Sequence, residues 1–115
     1  MKNTKQPTAE PFVMMTRTIF DSTEYRGLRP IDRDVLWLII RRHNGVNNGG
    51  ISLGARDVAT WYGYGKTAAN DALRRLEKVK LISAVRKGHL VPIAGRRNVA
   101  TVWRLNFIKD GTTND

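Results

Sequence analysis

The sequence predicts one mainly α-helical domain with a small β-hairpin, spanning residues 12–109. Three observations carry this. The chain has 115 residues, which is one domain's worth, and either half alone is too small for a good core. Apolar residues recur at helical spacing in three stretches, opening at Pro30, Ala55 and Lys66. Beyond them, Leu81–Val85 and Asn98–Leu105 are rich in β-branched and aromatic residues, and a stretch with Gly88, Pro92 and Gly95 separates them.

The elements follow in order. Residues 1–11 are polar, with Lys2, Lys5, Pro7 and Pro11, and read as a flexible arm. Ile19, Phe20 and Tyr25 fit one short helix within Thr16–Tyr25, ended by Gly27 and Pro30. The next helix opens at Pro30-Ile31-Asp32, capped by Asp32 or by the turn just before it. Arg41, Arg42 and His43 sit in its last turn, where the helix dipole favours cations. Ile31, Val35, Leu38 and Ile39 form one apolar stripe, and Leu36, Trp37 and Ile40 cover much of the rest. A helix apolar nearly all round is buried on several sides, either as the central core helix or as one that also meets a partner subunit.

Asn44–Gly50 (NGVNNGG) is dense in residues that tolerate positive φ, so the chain turns there. Ile51–Leu53 fits a small strand. Ala55–Tyr62 reads as a helix with Ala55, Val58, Ala59 and Tyr62 on its inner side, interrupted by Gly63. Lys66–Val79 reads as a helix with Ala69, Ala72, Leu73 and Leu76 inward. Leu81–Val85 is a strand, 88–97 a loop, Asn98–Leu105 a strand, and 110–115 a flexible polar tail.

Composition narrows the chemistry. There is no cysteine, which excludes disulfides, thiolate metal sites, iron–sulfur clusters and a thiol nucleophile. The two histidines, His43 and His89, lie far apart with no carboxylate motif beside them, so no metal site is expected. Gly65-Lys66-Thr67 imitates the end of a phosphate loop, but position 60 is Thr60 where that loop needs glycine. No paired carboxylates or Ser/His/Asp set points to catalysis, and no cofactor is expected. The longest apolar run, Val35–Ile40, is far too short to span a bilayer, and the first residues lack an apolar leader core. A cytoplasmic, nucleoid-associated location is the expectation.

Charge is the informative quantity. Lys plus Arg total 20 against 10 for Asp plus Glu, a net charge of +10. Solubility needs far less. Such an excess points to a polyanion, with nucleic acid ahead of a membrane surface or an acidic protein. Between Leu81 and Lys109 there are six basic residues and no acid, namely Arg86, Lys87, Arg96, Arg97, Arg104 and Lys109.

Residues 55–74, ARDVATWYGYGKTAANDALR, resemble a helix-turn-helix. Small Ala59 permits close helix approach, Gly63 supplies the left-handed turn, and Ala69 and Ala72 face inward on the second helix. The Leu81-Ile82 pair and the basic loop between two strands resemble the wing of a winged helix domain. The stretch from Ser52 to Ile82 is similar to the core of many bacterial regulators, including the GntR and MarR families. The longer pattern, from Pro30 to Leu105, resembles small winged helix proteins of proteobacteria, phages and mobile elements. Two features depart from that pattern. Gly65 stands where a Ser or Thr cap is usual, and the wing is long, with an apolar Leu90-Val91-Pro92-Ile93. No effector-binding half accompanies the domain, so no small-molecule effector is expected.

The resemblance implies sequence-specific binding of double-stranded DNA in transcriptional or mobile-element regulation. The residues expected to carry it are Arg56, Lys66, Thr67, Asn70, Asp71, Arg74, Arg75, Arg86, Lys87, Arg96 and Arg97. Asn70 suits adenine, Arg74 or Lys66 suits guanine, and Thr67 suits a thymine methyl or a phosphate. Arg56 is placed for the DNA backbone, and Arg96 and Arg97 for a minor groove or its phosphates. The alternatives are a winged helix that docks an acidic protein, as a co-regulator or antirepressor does, and a plasmid or phage replication or excision factor. Trp37, Trp61 and Trp103 are expected in the core or at an interface. The apolar excess around Leu36, Trp37 and Ile40, with residues 12–25, predicts a homodimer whose recognition helices meet half-sites ~34 Å apart. The competing expectation is that residues 12–25 cover that face within one chain.

Overall fold

The computed structural model describes residues 12–44, 46–86, 89–90, 98–99 and 101–108. The expected arm and tail, together with Lys87, Arg96, Arg97 and Lys109, lie outside the described residues.

The first helical stretch is two single turns, α1 (Arg17–Phe20) and α2 (Thr23–Arg26), rather than one short helix. The cause is local. Thr16 and Ser22 each cap a turn by accepting from the backbone N–H three residues on, of Ile19 and Tyr25 respectively. Ser22 also donates to the Ile19 carbonyl at 2.6 Å, closing the first turn before a second can add to it.

The long helix α3 (Pro30–Arg42) begins with Pro at its first helical position, where a missing N–H costs nothing. Its cap residue is Arg29, whose N–H donates to the Asp32 carboxylate at 3.2 Å. Val35, Leu36, Leu38, Ile39 and Ile40 are all buried. After the turn come β1 (Ile51–Ser52), α4 (Ala55–Tyr62) and α5 (Lys66–Lys78). The glycine cap of α4, Gly54, receives the same help as Arg29, donating its N–H to Asp57 at 2.9 Å. β2 (Ile82–Arg86), β3 (His89–Leu90), β4 (Asn98–Val99) and β5 (Val102–Leu105) complete the chain.

β1, β5 and β2 form an antiparallel sheet in that order. Ile51 pairs with Trp103, and Ile82 with Leu105, so apolar residues of all three strands meet the helices on one face. The ladder slips between Ala84 and Arg86, leaving Val85 exposed. β3 and β4 pair separately, with His89 opposite Val99. The segment expected as a loop from residue 88 therefore carries a short strand, antiparallel to β4.

The core joins α3, α5, α4 and the sheet, with Tyr25 and Leu28 from the chain before α3. This overturns one expectation. Leu36 and Ile40 are 0% and 3% exposed within a single chain, so they offer no face to a partner. Trp37 is half-buried, and its Nε1–H donates to the Tyr25 hydroxyl at 3.0 Å. Residues 12–25 thus help cover this side, with Met15 and Ile19 packed against the core. Among the described residues no helix is long and apolar enough to cross a membrane.

Asn48 ties the turn to the sheet. Its amide accepts from the Leu105 N–H at 2.7 Å and donates to the Leu105 and Ile108 carbonyls. One side chain thereby satisfies Leu105 on the β1 side of the central strand β5, beyond the two residues that β1 pairs.

Candidate nucleic-acid interface

The α4–α5 connection is three residues long. Gly63 ends α4 in the left-handed conformation, at φ +85°, and donates its N–H to Ala59 at 2.8 Å. Tyr64 follows and donates its hydroxyl to Asp34 of α3, which pins the turn to the core helix. That bond to a carboxylate raises the Tyr64 pKa above its ordinary value. Tyr62, whose ring lies 5.7 Å from that of Tyr64, is also raised, by burial first and then by the Asp34 charge. Gly65 caps α5 and, as expected, brings no side-chain acceptor.

Helical spacing divides α5 in two. Ala69, Ala72, Leu73 and Leu76 are buried, and Lys66, Thr67, Asn70, Arg74 and Lys78 are exposed. Alanine at 69 and 72 keeps the inner side thin, so the helix lies close to its neighbours while its polar side chains stand clear. Arg56 is exposed in the first turn of α4. Asp71 does not stand alone on the face, because Arg74 Nη2 lies 2.7 Å from its Oδ1.

Arg75 is a correction. It is not part of the outward face but turns inward to Asp32. Its Nε and Nη2 both donate to that carboxylate, at 2.8–3.0 Å. Asp32 is 1% exposed, and its charge is tolerated because the guanidinium and the Arg29 N–H surround it. The same bond raises the Arg75 pKa, so the cation is firmly held. The residue is a strut between α3 and α5.

The structure adds residues that the sequence reading did not select. Lys78 continues the exposed row one turn beyond Arg74. Trp61 is not in the core, one of the two places expected for it, but stands 54% exposed at the end of α4, with the Arg41 guanidinium 4.8 Å from its ring centroid. The signal was present: the side of α4 expected to face inward, Ala55, Val58, Ala59 and Tyr62, leaves Trp61 off it, although of these Val58 is buried and Tyr62 stands 38% exposed. Beside this pair, Arg42 bridges to Asp57 at 3.3 Å and donates to the Ser52 carbonyl. Trp103 does lie in the core, and its Nε1–H donates to the Leu53 carbonyl.

Of the residues expected on the wing, Arg86 is placed by its backbone opposite Val102. Lys87, Arg96 and Arg97 lie outside the described residues. Arg104 is exposed on β5, and its guanidinium lies over Gly49, where a Cβ would stand 3.0 Å from Nη2. Among the described residues no three His, Asp or Glu side chains gather to hold a metal. A shallow groove of about 260 Å³ lies between the α1–α2 region and the end of α5, lined in part by Ile19, Glu24, Lys80 and Phe107. The chain matches no protein-family model, no curated protein and no solved structure.

Proposed function

We propose that this chain is a winged helix-turn-helix protein that binds double-stranded DNA without catalysis, as a transcriptional or mobile-element regulator. The observation that carries the reading is the α5 face. Lys66, Thr67, Asn70 and Arg74 stand exposed on one side of a helix that follows a glycine turn, in a chain of net charge +10. An α-helix fits the major groove, and these side-chain types match the donors and acceptors on base edges there. The sheet order β1-β5-β2 beside α3, α4 and α5 supports the wing assignment. Arg56, Arg86, Lys87, Arg96 and Arg97 take the phosphate-holding role, and Arg41 and Lys78 extend the positive rim.

A second copy is proposed to dock on the apolar surface that stays exposed at Phe12, Met14 and Phe20. The charges of that segment balance, Arg17 and Arg26 against Asp21 and Glu24. Two strongly cationic chains approach most easily where local charge cancels.

Duplex selection followed by a salt titration tests the DNA reading. Asn70→Ala is expected to weaken the selected site by ~1–3 kcal/mol and random duplex far less. Arg96→Ala with Arg97→Ala is expected to weaken both alike, and to shrink the slope of log affinity against log salt by ~2. No affinity for any duplex at moderate salt would leave the acidic-protein reading in its place.

A further inference from the structure

The α5 face carries an acid where a purely phosphate-gripping surface has no use for one. Asp71 stands between Thr67 and Arg74 and offsets one of the three exposed cations Lys66, Arg74 and Lys78. Helix stability is a poor explanation. An exposed pair at this spacing contributes little, and Asp is a weaker helix former than Glu. Burial is no explanation either, since the side chains of Arg74 and Asp71 are 70% and 44% exposed.

On the DNA reading above, on which this inference rests, we propose that Asp71 is a specificity residue that aims Arg74 at a guanine and itself accepts from the amine of a cytosine. The cytosine lies in the adjoining base pair, because the two side chains share a bond.

Three pieces of chemistry support the assignment. Arg74 donates one N–H of Nη2 to Asp71 Oδ1 at 2.7 Å. Four of the five guanidinium N–H groups remain, enough for the bidentate bond to guanine O6 and N7. Holding the long side chain in advance removes part of the ordering cost of that contact. Finally, a carboxylate only accepts, and it has acceptor sites beyond the one Arg74 uses. In the major groove cytosine presents only its N4 donor. Adenine sets N7 beside its amine, while thymine and guanine present carbonyl oxygens that a carboxylate repels. Cytosine is therefore the base that Asp71 meets without penalty.

The test uses the full chain and a pool of random duplexes, selected in parallel with wild type, Asp71→Ala and Asp71→Asn. Wild type is expected to enrich a site with cytosine at one position beside a guanine. Asp71→Ala is expected to lose the cytosine preference about tenfold or more. It is also expected to bind random duplex more tightly, since a repulsive charge is gone. Asp71→Asn can donate as well as accept and is expected to move that position from cytosine towards adenine. A purely structural role would not change which base is chosen. Identical selected sequences for all three proteins would overturn the proposal. If wild type enriches no sequence and shows no duplex affinity, the DNA reading fails first. That failure is read from the wild-type arm alone.

Discussion

Lys80 sits in left-handed backbone, at φ +67°, immediately after the cap of α5. Its N–H donates to the Glu77 carbonyl, and the Leu81 N–H reaches back to Leu76, which is the paired closure usual where a glycine ends a helix. A lysine here carries steric strain that glycine lacks. Lys80→Gly is expected to stabilise the fold by about 0.5–1 kcal/mol, read by denaturant titration, because relief of that strain outweighs the added freedom of the unfolded chain. Arg75 gives the opposite case. Arg75→Ala leaves Asp32 buried with only the Arg29 N–H for company. Loss of one partner from a buried pair costs about 3–5 kcal/mol, reduced here towards ~2–4 because the guanidinium is part-exposed. The expected signature is a lower melting temperature with unchanged duplex affinity in the folded fraction. A selective loss of affinity without loss of stability would return Arg75 to the proposed DNA face.

Among the elements, the turn between α4 and α5 is held at two points. Gly63 provides the backbone conformation, and a Cβ there would meet nothing within 4 Å, so substitution is penalised by dihedral strain alone. Gly63→Val is expected to destabilise the fold by ~1–3 kcal/mol, read by thermal or denaturant melting. Tyr64 provides the second point, through Asp34. Its pKa is raised in the folded state, so its contribution is complete below the ordinary tyrosine value of 10.0 and is lost as pH rises through the raised value. Stability measured from pH 9 to 12 is expected to fall more steeply for the wild type than for Tyr64→Phe. The helices α4 and α5 were legible in the sequence because their apolar residues keep helical spacing over two or more turns. α1 and α2 were not, because single turns are decided by Thr16 and Ser22 hydrogen bonds rather than by periodicity. β3 escaped notice for a related reason: two residues carry no pattern, and their pairing is with another strand of only two residues, β4. The outward set Lys66, Thr67, Asn70 and Arg74 was readable from helical phase. Arg75 was misread because its partner Asp32 lies 43 residues away, a distance no local pattern records.

For the whole molecule, periodicity marked Leu36 and Ile40 as buried but could not say by what. The chain's own residues bury them, so any dimer must use other surface. Sedimentation at micromolar concentration is expected to show self-association through Phe12, Met14 and Phe20, and Phe12→Ser with Phe20→Ser is expected to yield a monomer. A clean wild-type monomer, with and without duplex, would remove the second copy from the reading. The Arg41–Trp61 contact has a practical consequence as well. The three indoles differ sharply in their surroundings: Trp103 is enclosed, Trp37 is half-covered and bound to Tyr25, and Trp61 is open to water at the end of α4. The red edge of the intrinsic emission, and most of its quenching by dissolved iodide, therefore belong to Trp61. The molecule carries its own optical reporter a few residues from the turn, and whatever settles over α4 can be followed through that signal without a label.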